Sequence, residues 1–210
     1  MSVITVDYLA AARAATALVR DPAVAKAWEN ESALPQFRVS GLVGHLSNQV
    51  TAIGDALVAP RPAEPVVPVL ELYRQVDWIG AELDADINVM IREGSEKLAT
   101  DGPEAVADRM DAAIAALPDL FGDLDRPVKM RWMRSSVTVS DLLLTRLMEL
   151  AVHSDDLAVS VGVATPQLPV RVMHPVYDLL FVLSLRRHGQ TAVLRALSRA
   201  ERAPASISAL

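Results

Sequence analysis

The sequence predicts an all-α protein folded as a helix bundle. Three observations carry that prediction. Apolar residues recur at helical spacing along most of the 210-residue chain. The strong helix formers Ala, Leu, Arg and Glu are plentiful. The periodic stretches are long and are joined by short or medium loops marked by Pro and Gly, as in antiparallel bundles.

A first helix is expected from about Asp7 to Trp28, with Leu9, Ala12, Thr16 and Val19 at helical spacing. Asp21-Pro22 breaks or kinks it, because proline disfavours helix at the preceding residue. A loop, Glu29 to Arg38, leads to a second helix from about Val39 to Val58, where Leu42, His45, Leu46, Gln49 and Ile53 share a face. Ala59 to Pro65 is a stiff, proline-rich connector. A third helix is expected from about Pro68 to Ala99, with Leu72, Val76, Ile79, Leu83, Ile87, Met90 and Ile91 as one apolar stripe.

Thr100 to Pro103 stops that helix and starts another, which runs to about Leu117. Phe121 to Val137 reads as irregular, with short extended pieces near Val128 to Met133. Thr138-Val139-Ser140-Asp141 resembles a capping box with Asp for Glu, and the helix it opens closes at Gly162. Shorter helices are expected from Pro175 to His188 and from about Thr191 to Arg202, before a tail. Residues 1–165 are read as the bundle, and residues 166–210 as a helical extension packed on it.

Composition narrows the function classes. With 51% hydrophobic and 22% charged residues, the chain is globular rather than disordered. A net charge of −6 and no basic run argue against nucleic-acid binding. The chain has no Cys, which excludes disulfides, zinc ribbons, iron–sulfur sites and a protein-borne thiol nucleophile. No leader pattern stands at the start, and no stretch approaches the roughly 20 apolar residues of a membrane span. A soluble cytoplasmic protein, monomer or homodimer, with no nucleic-acid or membrane partner is expected.

Glu149 and His153 stand four residues apart on a predicted helix, so both side chains share a face and can reach one metal ion. An ordinary hydrogen-bonded or salt-bridged pair has the same spacing. His45, on the apolar face of the second helix, is the natural third ligand; alone it reads as a buried, satisfied histidine. Two imidazoles and one carboxylate converging in a bundle core leave coordination positions open, which is a catalytic rather than a structural pattern. Asp156, three residues after His153, can orient its imidazole or pair with another helix. Arg146, three residues before Glu149, can form an ion pair or meet an anionic substrate. His174 and His188 read as structural.

Two blocks resemble a known family. One runs from Trp28 to Val39 and on to Leu42-Val43-Gly44-His45-Leu46; the other runs from Asp141 to Ala158, with the pattern D-x-L-x-x-R-x-x-E-x-x-x-H-x-x-D-L-A. Together they resemble the mycothiol-dependent maleylpyruvate isomerase N-terminal domain family, part of the DinB-like metal-binding bundles, over the first helix through Gly162. The resemblance implies a DinB-like four-helix core, here with short C-terminal helices added. It implies one divalent metal held by His45, Glu149 and His153: usually Zn2+, with Ni2+, Co2+ or Fe2+ accepted by the same donors. It also implies a thiol cosubstrate, mycothiol. Phe37 and Arg38 stand where members often have Trp and Thr, and Gly41 where an acid is common, which weakens the expected helix cap. The characterised isomerase type carries a separate C-terminal domain at its substrate site; here residues 163–210 follow Gly162, so the broader class is the expectation.

That class is a metal-dependent thiol transferase or isomerase, with a small-molecule thiol and a small electrophilic substrate as partners, and with Asp156 and Arg146 assisting. A metal-assisted hydrolase needs the same ligands. A non-catalytic metal-binding or stress-response module would keep the fold without turnover.

Overall fold

A computed structural model describes residues 2–210. The bundle is built from α1 (Val3–Val19), α2 (Pro22–Lys26), α3 (Val39–Thr51), α4 (Ile53–Val58), α5 (Val69–Leu72), α6 (Asp86–Leu98), α7 (Gly102–Leu120), α8 (Val139–Val161), α9 (Val170–His188) and α10 (Gln190–Ser198). Two short strands, β1 (Pro127–Val128) and β2 (Val137–Thr138), form an antiparallel ladder just before α8. The protein is therefore an all-α bundle, as the periodicity predicts. No helix among the described residues is long and apolar enough to cross a membrane.

Four helices close the core in a ring: α1 packs on α7 and α8, and α3 packs on the same two from the other side. Tyr8, Leu9, Leu42, Leu46, Met110, Leu142, Leu143, Leu147 and Met148 are fully buried between them. Each such side chain contributes roughly 1.5–3 kcal/mol by leaving water. α6 lies outside the ring against α3, and α9 lies against α8 and α1.

The close contact between α3 and α6 is made possible by Gly44. A Cβ on Gly44 would lie 2.0 Å from the Ser95 carbonyl oxygen, and one on Gly41 would lie 2.7 Å from Glu96 Oε1. At Gly44 the backbones approach this closely only because the position carries no side chain, whereas at Gly41 the neighbour is the end of the Glu96 side chain.

Local signals place both site-bearing helices. α8 starts where Thr138 Oγ1 accepts from the Asp141 N–H at 3.0 Å, and ends at Gly162 in the left-handed conformation, φ 71°. The start of α3 has no side-chain cap on Arg38, in line with the departures at residues 37, 38 and 41. Its first donors are satisfied from the preceding turn instead: Val39 N–H reaches Asn30 O at 2.9 Å, and Ser40 N–H reaches Trp28 O at 3.0 Å. The Ser40 hydroxyl donates to Glu96 at 2.9 Å, which brings a carboxylate from α6 to the positive end of α3.

Several boundaries differ from the sequence reading. The first helix starts at Val3 rather than near Asp7; the break expected at Asp21-Pro22 is present, with Asp21 capping a separate α2 by accepting from Ala23 N–H at 2.8 Å. The long stripe from 68 to 99 is not one helix. It divides into α5 and α6 around residues 73–85, where Gly80 adopts φ 79° and Leu83 is exposed. Trp78 in this non-helical stretch packs edge-on to Trp132, with ring centres 5.1 Å apart. α9 begins at Val170 rather than Pro175, which lies inside the helix rather than at its start. The extended pieces expected near 128–133 are confined to Pro127–Val128 pairing with Val137–Thr138.

Candidate metal centre

His45 comes from the middle of α3, and Glu149 and His153 come from successive turns of α8. Since α3 and α8 are neighbours in the ring, all three side chains meet between them. One potential ligand atom from each lies within 4.8 Å of the others. His153 Nε2 is 3.1 Å from Glu149 Oε2, and His45 Nε2 is 3.7 Å from the same oxygen. The two rings stand nearly perpendicular, centres 4.7 Å apart. Both histidines keep some side-chain surface open, 20% for His45 and 18% for His153, so the cluster is reachable from solvent.

The far side of each ring is held. Asp156 Oδ2 is 2.9 Å from His153 Nδ1, which points Nε2 at Glu149. On His45, the Nδ1 faces Ser95 Oγ at 3.5 Å. That hydroxyl spends its proton on Ile91 O at 2.7 Å, leaving a lone pair for the imidazole N–H. Both Nε2 lone pairs can then face the common point. The donor set suits a divalent metal: two imidazole nitrogens and one carboxylate oxygen, each backed by a hydrogen bond.

Charge in the cluster is unequal. Burial works against a charged Glu149, yet His153, His45 and Arg146 hold its carboxyl well below the usual range. Burial pushes His45 down, and the partly compensating Glu149 does not reverse it. Burial also opposes charge on His153, but Asp156 and Glu149 outweigh it and raise the ring to about 9. In the metal-free protein the proton at neutral pH therefore sits on His153, between two carboxylates.

Arg146 does not form the ordinary ion pair that its place three residues before Glu149 allows. It is buried, and no carboxylate among the described residues lies within salt-bridge distance of it. Its Nε donates to Thr145 Oγ1 at 3.1 Å, one terminal N–H donates to Gln49 Oε1, and its guanidinium stacks 5.6 Å from the Trp132 ring centre. Gln49 in turn donates to the His45 carbonyl at 2.9 Å, and its own carbonyl accepts from the Tyr8 hydroxyl at 3.0 Å. His174 and His188 stand away from the cluster: His174 faces Asp178 at 3.4 Å, and His188 reaches Ser208 O at 2.8 Å.

Sequence reasoning missed Ser95. Ser95 has no distinguishing pattern on α6; only the Gly44 crossing brings it to His45. Tyr73 closes α5, and its hydroxyl is buried without a hydrogen-bond partner. A cavity of about 390 Å³ lies between α8, α1, α9 and residues 165–168, with Asp156 in its wall.

A family model described as the mycothiol maleylpyruvate isomerase N-terminal domain matches residues 8–158. The matched stretch holds His45, Tyr73, Ser95, Arg146, Glu149, His153 and Asp156, and leaves α9 and α10 outside. No curated protein and no solved structure matches the chain.

Proposed function

Since the chain belongs to the mycothiol maleylpyruvate isomerase N-terminal domain family, we propose that it is a metal-dependent thiol transferase or isomerase acting on a small electrophilic substrate. The observation that carries this reading is the convergence of His45, Glu149 and His153, each histidine backed on its far nitrogen. Three protein donors leave coordination positions for a thiol, the arrangement that catalytic rather than structural sites use.

In this reading His45, Glu149 and His153 hold a divalent metal, Zn2+ by donor type, with Ni2+, Co2+ and Fe2+ compatible. The bound metal supplies a Lewis acid that keeps a coordinated thiol ionised near neutral pH. The chain has no cysteine, so the thiol comes from a cosubstrate, for which the family indicates mycothiol. Asp156 fixes the His153 ring and keeps Nε2 directed inward. Arg146 holds a positive charge beside the cluster and draws the anionic part of a substrate toward it. A cytoplasmic location fits a thiol cosubstrate that must stay reduced.

The test is metal content together with thiol binding. Protein prepared without a metal-binding tag should carry about one metal ion per chain. The cobalt-substituted form should develop a thiolate-to-cobalt charge-transfer band when titrated with mycothiol. Full metal occupancy in His153→Ala overturns the ligand assignment. Metal without a thiol signal overturns the thiol chemistry and favours hydrolysis or simple metal binding.

A further inference from the structure

The cavity of about 390 Å³ between α1, α8, α9 and residues 165–168 has the size of a small-molecule site. Space remains there because the helices contribute Ala11, Ala14 and Ala151, whose side chains end at Cβ. Leu168, Met173 and Val176 also line it, so its body is apolar. Its rim is strapped to α8 by Thr165 Oγ1, which donates to Asp155 Oδ1 at 2.5 Å. None of His45, Glu149 and His153 lines it, and α9 and residues 165–168 lie beyond the stretch 8–158 that the family model matches.

The polar part of the wall is one-sided. Asp155 and Asp156 line the cavity, and no lysine or arginine does. Asp156 Oδ2 is taken by His153, while its Oδ1 has no partner among the described residues. Ser154 stands between Ala151 and these acids and is only 7% exposed, yet its hydroxyl has no hydrogen-bond partner among the described residues. Every other buried serine or threonine hydroxyl donates to a partner: on the helices, Thr16 to Ala12 O, Ser47 to Gly44 O, Ser95 to Ile91 O and Thr145 to Leu142 O. A helical serine ordinarily takes the carbonyl one turn back. Ser154 does not, and keeps both lone pairs for whatever enters the cavity.

We propose that this cavity binds a small organic amine in its ammonium form. The ammonium group has three donors and no acceptor, which matches the Ser154 hydroxyl oxygen and the free oxygen of Asp156. Its apolar body takes the place of water against Leu168, Met173 and Val176. Tyr177, exposed at the rim, adds an aromatic ring that suits a cation. Anions are rejected by two carboxylates with no basic neighbour in the lining. The site needs neither the metal nor the thiol, so it stands apart from the proposed reaction.

Binding of n-hexylamine to the metal-free, full-length protein at pH 7 tests it, with hexan-1-ol and hexanoate as controls of equal length. Absence of metal removes direct coordination of the amine. Calorimetry should show saturable hexylamine binding at least about tenfold tighter than that of hexanol, with hexanoate weakest. With methyl-labelled methionine, the Met173 signal, assigned by its loss in Met173→Leu, should shift on titration, while that of Met110 in the bundle core stays. Ser154→Ala should weaken hexylamine roughly threefold or more at an unchanged melting temperature, because that hydroxyl serves no bond of the fold. Equal binding of amine and alcohol overturns the ligand class, as does tighter binding of hexanoate. No hexylamine binding, an unmoved Met173 signal, or wild-type affinity in Ser154→Ala overturns the site.

Discussion

His153 Nδ1 and Asp156 Oδ2 are 2.9 Å apart on adjoining turns of α8, and that contact determines which edge of the imidazole faces His45 and Glu149. Without it the ring is free to turn its other nitrogen inward or to swing away. Asp156→Asn keeps the shape and removes the charge. We expect metal affinity to fall roughly 10- to 100-fold with the fold intact. Competition against a chromophoric chelator measures the affinity, and circular dichroism checks the helices.

Proton competition at His153 predicts how metal binding depends on pH. The metal needs a neutral imidazole, while the empty site holds His153 protonated up to about 9. Apparent affinity should fall about tenfold for each pH unit below that value. Near pH 7.5, binding should release about one proton per chain, seen by calorimetry in buffers of different ionisation enthalpy. A pH-independent affinity between 7 and 9 would contradict the proton's placement on His153.

The same raised pKa has a consequence for the metal-free fold. His153 is charged more readily folded, at about 9, than unfolded, near its ordinary 6.5. Its contribution to stability is complete below about pH 6.5 and is lost as pH rises through about 9. Urea unfolding of metal-free protein should therefore show stability declining across that window. His153→Gln should flatten the decline.

The crossing of α3 and α6 predicts opposite effects for two alanine substitutions. Gly44→Ala puts a methyl group 2.0 Å from a backbone oxygen that cannot yield without separating the helices. It should cost roughly 1–3 kcal/mol or more, and should weaken metal binding by drawing Ser95 away from His45. Gly94→Ala, on the exposed side of α6, meets nothing within 4 Å. It should stabilise by about 0.5–1 kcal/mol through helix propensity alone. Denaturant midpoints of the two variants measure both effects.

Arg171 on α9 pairs with Asp7 on α1, whose side chain is only 2% exposed. Arg171→Met leaves that carboxylate buried and unpaired. A loss of about 2 kcal/mol is expected, together with faster hydrogen exchange in α9. Unchanged exchange there would mean the pair does not anchor α9 to the bundle.

The amino-acid sequence alone determined the chemistry carried on single helices. Glu149, His153 and Asp156 share one face of α8 by helical arithmetic, and Thr138 and Gly162 mark its ends through local hydrogen bonding and backbone freedom. His45 was legible as an inward polar residue on an apolar face. The relations between elements were not legible. The stripe from Leu72 to Ile91 has helical period throughout, yet residues 73–85 are not helical and Trp78 there packs on Trp132, because periodicity records the conformation a segment favours and not the partner it meets. Ser95 reaches His45 only after α6 has docked on α3. Burial of Arg146 was likewise decided by packing: the same side chain on an exposed face would pair with Glu149, whereas here Trp132 and Gln49 enclose it. Local sequence sets which groups share a helix face; close packing between helices sets which of those groups lose water, and with it their charge and their partners.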